Sequence, residues 1–150
     1  MSYAPCPICS TLPGTYLFDH RLQAGWNRGF GRRTGIPARA AGIGERVVMV
    51  GEVADSDLSD YYALCDIFIM PNREEGAGDV EGFGIVFLEA GWMGKPVIGG
   101  RSGGVPDAVK DGETGLLVDG RSVPEIEEAV ARLLSDPALA RSMGDKGRKA

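Results

Sequence analysis

Histidine and cysteine are scarce in this chain. Its 150 residues hold one histidine, His20, and three cysteines, Cys6, Cys9 and Cys65. A single histidine in a stretch without readable periodicity gives no basis for a Ser-His or Cys-His relay. Three thiols do not form a disulfide framework and fit a reducing compartment. Cys6-Pro7-Ile8-Cys9 has the spacing of half a zinc site. Four ligands would be needed, and neither His20 nor Cys65 is placed to complete them, so no metal is expected. Positive charge is short as well: 16 Lys and Arg face 21 Asp and Glu, a net charge of -5. A nucleic-acid binder needs a basic face, so nucleic acid is not an expected partner. No apolar run approaches the ~20 residues of a membrane span. No basic stretch followed by an apolar core opens the chain, so no secretory signal is expected. There is no G-x-x-x-x-G-K phosphate loop. Gly29-Phe30-Gly31-Arg32-Arg33-Thr34-Gly35 is one residue too long for a dinucleotide loop and follows no β-run.

What the chain does have is glycine, 23 residues of it, with 43% hydrophobic and 25% charged residues. That is enough for one domain with a real core. Residues 1–40 mix Pro, Gly, Arg and aromatics with no period of 2 or 3.6 and read as irregular. From Gly42 onward the text is clear. Arg46 to Val50 is a buried-strand run closed by Gly51. Asp55 is the expected cap of a helix with Leu58, Tyr61, Tyr62 and Cys65 on its core face. Ile67 to Met70 is a second strand stopped by Pro71, and Asn72 to Val80 a polar loop carrying Arg73. Pro96-Val97-Ile98 and Leu116-Leu117-Val118 are the third and fourth strands. A short helix is expected around Asp107 to Lys110, after the Gly103-Gly104 loop. Ser122 to Glu125 matches a capping box, and Val123, Ile126, Val130, Leu133 and Leu134 line the helix it opens. Asp136-Pro137 caps a last helix. Strands alternating with helices predict an α/β fold: a Rossmann-like parallel sheet with flanking helices. Ligands of such sheets sit at the carboxyl ends of the strands.

One stretch breaks the local rules. Between Gly84 and Met93, Glu89 is the only charged residue of an expected helix. A helix apolar on every side is expected to be buried, and a carboxylate inside it is costly unless paired. Glu81 precedes it by eight residues, with Gly82-Phe83-Gly84 between them. The first amides of a helix lack internal partners and point outward at the positive end of the dipole. Gly82, Phe83, Gly84 and Ile85 therefore read as a seat for a phosphate. Glu89 lies roughly 7 Å along the axis from that seat, where a ribose would offer it two hydroxyls. Glu81 is on the other side, within reach of a sugar. Plainer readings stay open. Glu89 can pair with Lys95 or a basic residue elsewhere, Glu81 can be a first-turn acid, Gly103-Gly104 a simple turn and Arg73 a solvated cation.

Taken in order, Glu81 and Glu89 around Gly82-Phe83-Gly84, then Gly94 to Ile98, Ser102 to Pro106 and Asp111 to Val118, resemble the donor half of a retaining GT-B glycosyltransferase of group 1 (GT4-type, including bacterial mannosyltransferases). The resemblance runs from about Gly42 to Ala150. It implies the C-terminal half of a GT-B fold, a donor site needing no metal, and a UDP- or GDP-linked sugar as substrate. It implies donor-sugar contact, with a possible catalytic role, for Glu81 and ribose contact for Glu89. Phosphate falls to the amides of Gly82, Phe83, Gly84 and Ile85, and the edge of the base pocket to Gly51 and Val53. The acceptor would be a glycan or lipid-linked hydroxyl, and the setting cytoplasmic or peripheral at the inner face of the membrane. The family's upstream Arg and Lys, which neutralise the diphosphate, have no match in residues 1–40, nor has its N-terminal acceptor domain. The expectation is a donor-binding domain over residues 41–150, truncated within its last helix and inactive alone. The alternative is a non-catalytic nucleotide-sugar or anion-binding module whose partner chain supplies the acceptor domain. A sugar-nucleotide epimerase of related fold is disfavoured by the missing histidines.

Overall fold

The computed structural model describes residues 16–19, 42, 44–51, 54–73 and 84–150. The chain divides into two compact units, residues 1–58 and 59–150. In the first, strand β1 (Tyr16–Asp19) pairs in parallel with β2 (Val47–Gly51). Tyr16 stands opposite Val47, and a register shift after Phe18 sets Asp19 opposite Gly51. β2 lies one residue on from the expected run. β1 falls in the stretch read as irregular. Its apolar run is only Tyr16-Leu17-Phe18, too short to show a period, and its hydrogen bonds come from a partner distant in sequence. Asp55 does not cap a helix as expected. It belongs to a 3-10 turn, Asp55–Asp57, whose preceding residue, Ala54, is extended and accepts from the Asp57 amide at 2.9 Å.

The second unit begins in the first turn of helix α1 (Leu58–Leu64). It contains a parallel sheet of β3 (Phe68–Met70), β4 (Val97–Gly100) and β5 (Gly115–Val118), in that order. Phe68 faces Val97, and Val97 faces Gly115. β4 is buried along its whole length, as a central parallel strand covered on both faces must be. The crossovers are α2 (Ile85–Trp92), between β3 and β4, and the single turn α3 (Val105–Ala108), between β4 and β5. Helices α4 (Val123–Ser135) and α5 (Pro137–Gly147) follow β5. This is the Rossmann-like α/β arrangement that the alternation of elements predicts.

The core joins Ile98, Leu116 and Val118 of the sheet to Ala129 and Leu133 of α4 and Met143 of α5. Ile126 and Val130 pack against it, but Val123 and Leu134, expected on the same face, are exposed. Leu134 is turned about 100° from Leu133, off the inner stripe, and Val123 is the first residue of its helix. The capping box is half formed. Ser122 Oγ accepts from the Glu125 amide at 3.3 Å, while the Glu125 carboxylate turns to the Asp119 amide at 2.9 Å and to Arg101 at 3.0 Å. Asp136 Oδ1 accepts from the Leu139 amide at 2.9 Å, capping α5 as expected.

The α2 and α5 segments meet through glycine. A Cβ on Gly147 would lie 3.2 Å from Gly91 Cα, and one on Gly144 would collide with the Gly94 carbonyl. Alanine is worth about 1 kcal/mol more than glycine inside a helix, yet a collision with backbone costs about 1–3 kcal/mol. The contact should win: Gly144→Ala is expected to lower stability in urea denaturation by up to about 2 kcal/mol. A gain in stability would mean that the two segments are not this close.

Candidate functional site

The carboxyl ends of β3, β4 and β5 carry the loops beginning at Pro71, Arg101 and Asp119. The Asn72 carbonyl passes so close over the strand ends that a Cβ on Gly100 or Gly120 would strike it. The loops after β4 and β5 are tied together by Glu125, whose Oε2 accepts from both Arg101 Nη1 and the Asp119 amide. Gly103 is left-handed, with φ 56°, and Gly104 precedes α3, so this pair builds the turn that starts the helix. The Ser102 hydroxyl beside it is shielded from solvent and has no hydrogen-bond partner among the described protein atoms.

At the start of α2 the chain turns on Gly84, which is left-handed at φ 67°, ψ 35°. Only glycine takes that conformation without strain, and a Cβ here would also press on the Phe87 ring at 3.1 Å. The Phe87 amide donates back to the Gly84 carbonyl at 2.9 Å. Among the described residues no side chain caps this turn, and the first turn of the helix holds no acid, so its positive end faces no described anion.

The helix is apolar around Glu89, as expected, but it is not buried on every side. Ile85, Leu88 and Trp92 are 61%, 43% and 73% exposed, and Glu89 is exposed with them. Positions 85, 88, 89 and 92 fall on one helical face, at i, i+3, i+4 and i+7. Phe87, Ala90 and Gly91 make up the buried side. Glu89 is therefore not a buried charge, and its partner is not Lys95. Lys95 Nζ donates instead to the Ala63 carbonyl at 2.6 Å, at the end of α1. Glu89 Oε2 accepts a 2.8 Å hydrogen bond from the hydroxyl of Tyr62.

Tyr62 is the residue that sequence reasoning missed. Helical spacing placed its ring on a core face, where it is, 4% exposed. Nothing in that spacing says where the hydroxyl goes. The ring meets Phe68 edge-on, with centroids 5.6 Å apart, and Phe68 meets Phe87 of α2 in the same way at 5.6 Å. The Tyr62 carbonyl accepts from the Cys65 thiol at 3.2 Å. Burial pushes that thiol up from its ordinary pKa, with nearby Lys95 opposing and Asp66 reinforcing the shift. Cys65 thus stays a protonated donor in a structural contact, as its place on the core face suggested.

Of the predicted site residues, Gly84, Ile85 and Glu89 lie together on α2, and Gly51 closes β2 in the first unit. Glu81, Gly82, Phe83 and Val53 lie outside the described residues. Among the described residues no group of three or more His, Cys, Asp or Glu is arranged to hold a metal ion, and no helix is long and apolar enough to cross a membrane. The paired Cys6 and Cys9 also lie outside the described residues.

A family model described as "Glycosyl transferases group 1" matches residues 36–150. The chain belongs to this family. Over 113 residues it is 51% identical to a GDP-mannose-dependent alpha-(1-6)-phosphatidylinositol monomannoside mannosyltransferase from Mycobacterium tuberculosis strain CDC 1551. That match covers 75% of this chain and 29% of the relative, so the chain spans under a third of such a protein's length. A sucrose-phosphate synthase from Thermosynechococcus elongatus superposes with a TM-score of 0.78 at 29% identity, covering 95% of this chain and 34% of that one. The C-terminal domain of a group 1 glycosyl transferase from Francisella tularensis superposes with a TM-score of 0.72 at 22% identity, covering 93% of this chain and 86% of that one. The group 1 glycosyltransferase chain is thus the Rossmann-like C-terminal half of a GT-B fold.

The exposed position of Glu89 has a consequence for stability. Glu89→Ala removes one hydrogen bond from the edge of the core and should cost about 1 kcal/mol in urea denaturation. A loss of 3 kcal/mol or more, the scale for breaking a buried charge pair, would contradict its placement on the open face of α2.

Proposed function

We propose that this group 1 glycosyltransferase chain is a donor-binding half that holds a nucleoside-diphosphate sugar along the start of α2. The observation that carries the reading is the geometry of that helix: a left-handed turn at Gly84 with no cap among the described residues, no acid in the helix's first turn, and Glu89 open to solvent on the next turn. The diphosphate would sit on the amides of Gly82, Phe83, Gly84 and Ile85. The ribose would reach Glu89 through its two hydroxyls, and the transferred sugar would reach Glu81. GDP-mannose is the donor favoured over a UDP-sugar, because the 51% identical relative is named for it.

In the reaction so read, an acceptor hydroxyl oxygen bonds to the anomeric carbon as the bond from that carbon to the diphosphate breaks. The acceptor oxygen enters on the face that the diphosphate leaves, and its proton passes to the departing phosphate oxygen, which takes the electron pair of the broken bond. The product keeps the donor's anomeric configuration. The N-terminal end of α2 stabilises the charge growing on the departing diphosphate. No metal is required for this, since backbone amides supply the positive potential. A lipid-linked glycan is the acceptor class that the same relative's name suggests, which would place the work at the inner face of a membrane. The isolated chain is expected to bind donor without turnover, because one half of a cleft neither excludes water nor positions an acceptor.

Calorimetric titration with GDP and with UDP tests the donor reading. GDP should bind the chain, and Glu89→Ala should weaken it roughly 10- to 100-fold, the worth of charge-assisted bonds to two hydroxyls. Binding of neither nucleotide, or full binding by the variant, would overturn the ribose assignment. Incubating the chain with GDP-mannose and a phosphatidylinositol mannoside should give no transfer. Robust transfer by the chain alone would contradict its inactivity.

A further inference from the structure

We infer that Tyr62 is a positioning residue for the donor ribose, acting through Glu89; this rests on the reading of Glu89 as the ribose contact. A glutamate on an open helix face has three rotatable bonds, and its carboxylate samples many positions. Here one of those positions is selected. Tyr62 donates its hydroxyl hydrogen to Glu89 Oε2 at 2.8 Å. That takes one acceptor site and leaves the rest of the carboxylate, including all of Oε1, for incoming donors. A ribose presents two adjacent hydroxyls, which is the demand such a half-occupied carboxylate meets.

The hydroxyl can direct Glu89 only if Tyr62 itself is held, and it is held on several sides. Its ring is buried and edge-on to Phe68, which is edge-on in turn to Phe87, two residues before Glu89 on α2. Its carbonyl takes the Cys65 thiol. The next carbonyl, that of Ala63, takes the Lys95 ammonium. Lys95 thus anchors the end of α1 instead of competing for the carboxylate. The bland alternative is that a buried tyrosine has found the nearest acceptor for its hydroxyl. The two differ in one respect: only a positioning role makes the hydroxyl matter to ribose hydroxyls in particular.

The test compares GDP with 2′,3′-dideoxy-GDP, and UDP with its dideoxy analogue, by calorimetry on wild type and Tyr62→Phe. The substitution keeps the buried ring, and circular dichroism with urea denaturation verifies the fold. Tyr62→Phe should weaken the ribonucleotide roughly three- to tenfold and leave the dideoxy analogue unchanged. In a Glu89→Ala background the same substitution should have no effect on ribonucleotide binding. If wild type binds both nucleotides equally, the ribose reading of Glu89 fails and this inference with it. If wild type discriminates and Tyr62→Phe discriminates by the same factor, the ribose reading stands and the positioning role is overturned. Equal weakening of both nucleotides would likewise make Tyr62 merely structural.

Discussion

Three rings set the site: Tyr62 from α1, Phe68 from β3 and Phe87 from α2 meet edge to face in series. Each such pair is worth about 0.5–1.5 kcal/mol beyond its buried area. More important is what the series connects. It joins α1 to the crossover helix α2 through β3, so the open face of α2 has a fixed relation to α1. The Tyr62 hydroxyl then emerges beneath Glu89, and the Lys95 ammonium closes the end of α1. On the other side of the helix, Gly91, Gly144 and Gly147 let α5 approach closely. With both sides held, the left-handed turn at Gly84 and the helix amides after it have a defined place at the carboxyl end of the sheet.

This arrangement separates a structural job from a binding one. The structural work is done by the aromatic series and the glycine contacts. Glu89 contributes one hydrogen bond on an exposed face, and is otherwise available to a ligand. A buried carboxylate would need its protein partners for stability and have little left to offer. An exposed one, held in place, pays less for binding because its conformation is already chosen. The proposed donor contact therefore becomes physically easier once Glu89 is moved from the core to the surface.

Much of the second unit was legible. Strands β3 to β5 are short apolar runs bounded by Pro or Gly, the expected marks of buried parallel strands, and Asp136-Pro137 announced α5. What misled was the composition of α2. Ile85, Leu88 and Trp92 are apolar, and hydropathy alone cannot tell an apolar residue facing protein from one facing a ligand or solvent. Tyr62 escaped notice because spacing describes where a ring goes, not where its hydroxyl points. β1 escaped because three apolar residues carry no period and its partner is remote in sequence. Asp55 looked like a cap because its residue type favours one, but the backbone spends that position on a 3-10 turn.

We propose that the segment from Gly84 to Glu89, at the start of α2, is the bed of a nucleoside diphosphate. The most direct test is a crystal structure of the chain soaked with GDP or UDP. The account predicts the diphosphate oxygens within hydrogen-bond distance of the Gly84 and Ile85 amides, and the ribose hydroxyls on the Glu89 carboxylate beside Tyr62. A nucleotide bound with its ribose turned away from Glu89, or seated elsewhere on the chain, would contradict it.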